Sequence, residues 1–120
     1  MNCENVSARG MQIVEAVKVY VQSHLAEDLS LARMAKIMDR SPSNLSKIFK
    51  QVTGTGYIDY VVAHRMERAL LLLRSEPPVK LEDIAAQLGY SSCSYFIYVF
   101  HQCHGITPAE YRKTHQVSKS

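Results

Sequence analysis

Two stretches of this chain, fifty residues apart, carry the same arrangement of apolar residues, and a fold must satisfy both at once. Leu31, Met34, Ala35 and Met38 recur as Leu81, Ile84, Ala85 and Leu88. After one inserted residue, Leu45, Ile48, Phe49 and Gly54 recur as Phe96, Val99, Phe100 and Gly105. The pair Asp59-Tyr60 then matches Glu110-Tyr111. Spacings of three and four residues put each set on one face of a helix. Each copy therefore reads as a short helix, a tight turn and a second amphipathic helix. Ala35 and Ala85 suit such a unit, because two short helices that cross steeply need a small side chain where they approach.

The remaining segments read as helices too. From Met11 to Leu25, the residues Ile13, Val17, Tyr20, Val21 and Leu25 form one apolar stripe. Ser30 is placed to cap the helix that faces Leu31, Met34, Ala35 and Met38 inward. Ser41 caps the next, and Pro42 at its first position already has the φ a helix needs. Its buried stripe is Leu45, Ile48, Phe49 and Val52, and Gly54 suits its end. A long helix follows from Tyr57 to Arg74, stopped by Pro77 and Pro78. Leu81 to Leu88 form a fifth helix closed by Gly89. Ser91 or Ser92 caps a sixth, with Phe96, Val99, Phe100 and Cys103 inward and Gly105 at its end. Thr107-Pro108-Ala109-Glu110 is a capping box with proline first, so a seventh helix starts there. No strand-like alternation of useful length appears.

The expectation is an all-α fold of seven helices, two tandem helix-turn-helix subdomains joined by a long linker helix. Its divisions are a disordered segment 1–10, a first helix-turn-helix at 11–56, the linker helix at 57–76, a second helix-turn-helix at 77–115 and a disordered tail 116–120. Such units leave one face of their second helix free for a DNA major groove. Joined by a helix, two of them are expected to set those faces one DNA turn apart, about 34 Å.

Charge distribution favours the same partner. The chain carries a formal +3 with a pI near 8.8. That is too common to be diagnostic. However, residues 31–74 hold eight basic side chains against three acidic ones, whereas residues 75–105 hold only Lys80 against Glu76, Glu82 and Asp83. The positive field lies on the first half. No run approaches the roughly 20 apolar residues of a membrane span. The N-terminus has no signal-peptide pattern. The expected compartment is the cytosol, with no membrane partner. Three cysteines, Cys3, Cys93 and Cys103, make no disulfide framework.

The motifs themselves resemble a known family. Ser-Pro-Ser-Asn-Leu-Ser-Lys-Ile-Phe-Lys-Gln-Val-Thr-Gly, from Ser41 to Gly54, looks like the first recognition helix of the AraC/XylS family of bacterial transcription regulators. Arg65 and Ala69 resemble its Arg-hydrophobic-x-x-Ala motif, and Ile84 to Arg112 is similar to its signature segment. The resemblance implies two helix-turn-helix subdomains that bind promoter DNA through adjacent major grooves, usually to activate transcription with RNA polymerase as a partner. It also implies dimerisation through a separate domain, which 120 residues do not accommodate.

By position, the first recognition helix presents Ser43, Asn44, Ser46, Lys47, Lys50 and Gln51 to DNA, and the second presents Cys93, Ser94, Ile97, Tyr98 and His101. Asn44 and Gln51 both donate and accept, which suits adenine; Lys47 suits guanine or a phosphate, and Lys50 a phosphate. Tyr98 and His101 stand where the family usually carries arginine and lysine, and Lys80 stands where it often has a capping serine or threonine. The second helix is therefore expected to bind less strongly than the first. The alternative reading is a protein-interaction module of the same fold, contacting RNA polymerase or another regulator.

Other chemistry recedes. His101, Cys103 and His104 are close in sequence, but successive helical positions diverge by 100°, so no metal site and no cofactor is expected. Cys93 beside a cap has the place of an activated thiol, although a small surface residue is the plainer reading. No nucleophile-base-orienter set and no glycine-rich phosphate loop is present, so no enzyme activity is expected.

Overall fold

A computed structural model of the chain describes residues 8–116. Among these it has seven α-helices and no strand: α1 (Ala8–Ser23), α2 (Leu31–Ile37), α3 (Pro42–Thr53), α4 (Tyr57–Leu73), α5 (Leu81–Gln87), α6 (Cys93–His104) and α7 (Pro108–Gln116). The chain divides into two compact units between His64 and Arg65, inside α4. That boundary falls within the long helix expected from Tyr57 to Arg74. Tyr57 and Val61 belong to the core of the first unit, while Met66, Ala69 and Leu73 are buried in the stretch assigned to the second.

The first core is built from Val14, Val17 and Val21 of α1, Leu25 and Leu29 of the following loop, Met34 and Ala35 of α2, Leu45 and Phe49 of α3, and Tyr57 and Val61. The helix α1 starts at Ala8, three residues before the expected Met11. Gly10 continues the buried stripe of Val14, Val17 and Val21, but with no side chain it leaves no apolar mark in the sequence. Ile13, Tyr20, Leu31, Met38, Ile48 and Val52, expected inside, are partly buried and pack against the core from its edge. The Tyr57 hydroxyl donates to the Leu29 carbonyl at 2.9 Å, and its ring meets Phe49 edge-on at 5.7 Å. One side chain thereby fixes the loop before α2 against α3. The expected disordered segments lie mostly outside the described residues; of their members, residues 8–10 and 116 are helical.

The turn that joins the two short helices is made the same way twice. Asp39 in the first copy and Gly89 in the second take the left-handed conformation, with φ of 58° and 82°. Asp39 N–H donates to Lys36 and Arg40 N–H to Ala35, at 3.1 and 2.8 Å. Gly89 N–H donates to Ala86 and Tyr90 N–H to Ala85, at 3.1 and 3.0 Å. These paired bonds close off the last carbonyls of α2 and α5 and reverse the chain. Glycine adopts such a φ freely, and aspartate is among the side chains that tolerate it best. A serine follows at once: Ser41 Oγ accepts from Asn44 N–H at 3.1 Å, and Ser92 Oγ from Tyr95 N–H at 3.1 Å. Of the two expected candidates, Ser92 is therefore the cap of α6.

In the second unit the buried residues are Met66, Ala69, Leu73, Ile84, Ala85, Leu88, Phe96, Phe100 and Pro108. Phe96 and Phe100 pack at 6.0 Å, and Tyr111 of α7 meets Phe100 at 6.1 Å. The capping box forms as expected: Thr107 N–H donates to Glu110 Oε1 at 2.9 Å, and Glu110 N–H to Thr107 Oγ1 at 3.1 Å. These bonds hold the Glu110 carboxyl below its ordinary pKa. Arg112 donates from Nε to the Leu73 carbonyl at 3.4 Å and from Nη2 to that of Val79. It ties the end of α4 to the loop before α5. Lys80 is the N-cap residue of α5 and makes no side-chain cap bond, in keeping with its departure from serine or threonine.

Cys103, expected in the core stripe, is exposed. It lies in the last turn of α6, beyond Phe96 and Phe100, and periodicity gives the direction of a side chain but not where the covering elements stop. The repeat also runs further than its apolar residues revealed. Tyr60 packs on His64 at 4.3 Å and Tyr111 on His115 at 3.9 Å, again fifty-one residues apart.

Phe49 and Phe100 are fully buried at equivalent places. Alanine at either is expected to cost about 3–5 kcal/mol, the usual loss for a buried phenylalanine. Thermal or denaturant melts check this, and a trivial loss in both variants would contradict the roles given to them.

Candidate nucleic-acid interface

The capping serine and Pro42 start α3 abruptly, so its first turn is helical from the outset. Leu45 and Phe49 then hold one side of the helix against the core with no exposure. The opposite side must face outward. There Ser43, Lys47 and Lys50 are exposed and Ser46 is half-buried, at successive steps of three, one and three residues along one face. Asn44 and Gln51 are exposed on the flank of that face. A helix of 12 residues is about 18 Å long, and a groove about 12 Å wide admits it. This face combines two ammonium groups, hydroxyls and amides, with no apolar side chain among the six.

The helix α6 repeats the frame and changes the face. Its Ser94, Tyr98 and His101 are exposed, while Cys93 and Ile97 are half-buried. It holds no lysine or arginine. Tyr95, which was not among the expected contact residues, is 54% exposed beside Tyr98 at 58%. Their rings stack at 6.3 Å with 25° between planes. Two tyrosines left this open form an ordered aromatic surface with polar tips, of the kind that interfaces use. Their spacing of three residues on a capped helix was the available signal. Behind them Tyr90 packs on Tyr95 at 5.8 Å, and the Arg65 guanidinium lies 5.3 Å from the Tyr90 ring centre. Burial raises the Tyr90 phenol's pKa, and Arg65 opposes that shift.

Cys93 does not have the chemistry of an activated thiol. Desolvation and the nearby Glu82 carboxylate both push its pKa up, against the pull of the helix terminus. Among the described residues no three histidine, cysteine or acidic side chains come together as metal donors, and no helix is long and apolar enough to cross a membrane.

A helix-turn-helix domain family model matches residues 34–114. The chain is 39% identical over 93 residues to the HTH-type transcriptional regulator GadX of Escherichia coli O6:H1, covering 78% of this chain and 33% of that protein. It is similar in structure to the C-terminal domain of AraT, a response regulator from Geobacillus stearothermophilus, with a TM-score of 0.81, 34% identity, and coverage of 91% and 87%. The DNA-binding domain of the global transcriptional factor AdpA, solved with a target DNA, shares the fold with a TM-score of 0.80 at 21% identity, over 88% and 94% of the two chains. The chain spans about a third of the length of the curated relatives it matches.

The raised pKa gives Cys93 less thiolate at a given pH than an ordinary cysteine. In single-cysteine variants, thiol labelling near neutral pH should be slow at Cys93 and fast at the exposed Cys103, with labelling of Cys93 rising only at alkaline pH. Fast labelling of Cys93 at neutral pH would restore it as an activated thiol.

Proposed function

Because this chain belongs to the AraC/XylS family of helix-turn-helix transcription regulators, we propose that it binds double-stranded promoter DNA in a sequence-specific way, seats α3 and α6 in adjacent major grooves, and activates transcription through contact with RNA polymerase. The observation that carries the reading is the outward face of α3. Lys47 and Lys50 stand exposed on a helix whose other side is locked into the core. Each phosphate such a cation neutralises releases counterions, adding about 0.9 to the salt slope of binding. The neighbouring Ser43, Asn44, Ser46 and Gln51 supply hydrogen-bonding groups suited to base edges.

The two helices contribute unequally in this reading. With Tyr98 and His101 where cations usually stand, α6 gains little from counterion release. It reads sequence through Ser94, the Tyr98 hydroxyl and apolar contact of Ile97 with a thymine methyl, while Cys93 is a peripheral contact. The domain alone binds weakly, and tight binding comes from tethering two copies through a further domain. One observation favours a second reading for the same helix. An exposed aromatic pair on a surface with no permanent cation suits a protein such as RNA polymerase as well as it suits DNA.

Lys50→Ala is expected to weaken binding to all duplexes and to lower the salt slope by about one unit. Lys47→Ala is expected to cost about 1–3 kcal/mol on the preferred site, the range for a side chain that reads a guanine. Salt titrations on random duplex and on a site selected from a random pool measure both. Unchanged affinity in both variants contradicts the assignment of α3, and a flat salt dependence of the unaltered chain favours the protein-interaction reading.

A further inference from the structure

The whole helix-turn-helix of the first unit is cationic, not its recognition helix alone. From Leu31 to Thr53 it holds Arg33, Lys36, Arg40, Lys47 and Lys50 against a single acid, Asp39. The matching stretch of the second unit, Leu81 to His104, holds no lysine or arginine and two acids, Glu82 and Asp83. Lys47 and Lys50 lie on α3. Arg33 and Lys36 lie on α2, and Arg40 is in the turn after it.

The shared frame decides where these last three point. Met34 and Ala35 are buried and Leu31 and Met38 half-buried, which marks the inward side of α2. At 100° per residue, Arg33 and Lys36 leave the helix within about 30° of the opposite direction. Both are exposed. The backbone bond from Arg40 N–H to Ala35 sets the third cation at the foot of α3, where its Nη1 donates to Asn44 Oδ1 at 3.3 Å. The guanidinium thus reaches the exposed flank of α3 and keeps further N–H donors. No acid stands on α2, and Arg33 and Lys36, three residues apart, repel each other. A polyanion laid against this face relieves that repulsion. In a bound helix-turn-helix the second helix enters the major groove while the first crosses the sugar-phosphate backbone. In this unit α2 is that first helix.

We propose that Arg33, Lys36 and Arg40 form a phosphate-binding row, which grips the backbone beside the groove that α3 enters and supplies more of the sequence-independent attraction than Lys47 and Lys50 do. This rests on the DNA-binding reading above and adds the helix before the recognition helix to the interface. The same places in the second unit hold Asp83, Ala86 and Tyr90, so that unit has no such row.

The test is salt titration on random duplex and selection from a random pool, with the full chain unaltered and as Arg33→Gln/Lys36→Gln, Arg40→Gln and Arg9→Gln. A thermal melt of each variant comes first. The unaltered chain should show a salt slope of about 4.5 or more, one contact for each of the five cations. Arg33→Gln/Lys36→Gln should lower it by about two units, and Arg40→Gln by about one. The affinity lost by the double variant should then shrink about tenfold as salt rises from about 50 to about 200 mM. The selected sequence should stay the same, since phosphate contacts carry no base information. Arg9→Gln removes the same charge from α1, outside the helix-turn-helix, and should leave the slope unchanged. An unchanged slope in the double variant overturns the proposal even if Arg40→Gln fails to fold. So does a slope of about two in the unaltered chain, the value for Lys47 and Lys50 alone. A fall per charge in Arg9→Gln equal to that in the double variant would mark diffuse net charge and overturns it as well. If the unaltered chain enriches no sequence and its binding is independent of salt, the DNA-binding reading falls and this proposal falls with it.

Discussion

Everything that α3 and α6 present to a partner depends on a reversal of the chain over three residues. A left-handed residue, Asp39 or Gly89, ends the first helix of each unit, and a serine two or three residues later caps the next. The αL conformation closes the last carbonyls of one helix, and the hydroxyl satisfies a free N–H of the other, so both ends of the turn are capped. The direction in which the second helix leaves the turn is thereby set by backbone hydrogen bonds. Phe49 and Phe100 then set its rotation about its own axis, because each must lie in the core. With direction and rotation fixed, the positions of the opposite face leave the backbone in set directions.

The two units use this frame for different surfaces. The α3 face is basic and rich in amides and hydroxyls; the α6 face is aromatic and without lysine or arginine. A repeat that conserves its buried positions while its outward positions diverge separates folding from recognition. In the function proposed above, one domain combines a salt-sensitive contact, which attracts any duplex, with a salt-insensitive one, which adds discrimination. The buttressing residues Arg40 and Tyr90 lie between these roles, held by the turn and touching the outward side chains.

The fold was legible in the sequence wherever a residue type does one thing. Ser30, Ser41, Ser92, Thr107 and Glu110 cap as their chemistry requires, and Gly54 and Gly105 end their helices with φ near 80°. Legibility failed where neighbours in space decide. Gly10 is buried but carries no apolar side chain to count, and Cys103 has the right phase but no cover. Asp39 does not look like a left-handed residue until it is aligned with Gly89 in the repeat. At the candidate site, periodicity expected Ser43, Asn44, Lys47, Lys50 and Gln51 outward, and they are exposed, while Ser46 is half-buried. It gave no sign of the exposed Tyr95 beside Tyr98, nor of the bond from Arg40 to the Asn44 amide oxygen. Contacts between side chains across a turn are not periodic, so no pattern in the chain announces them.

The central claim is that a shared frame carries a dominant cationic face on α3 and a subordinate neutral face on α6. The most direct measurement scrambles each half of a selected duplex site separately, at pH 7.5, and compares the loss of affinity. Scrambling the half read by α3 should cost more. An equal or larger loss from the half read by α6 at pH 7.5 would contradict the claim and move the main recognition surface to Tyr95, Tyr98 and their neighbours.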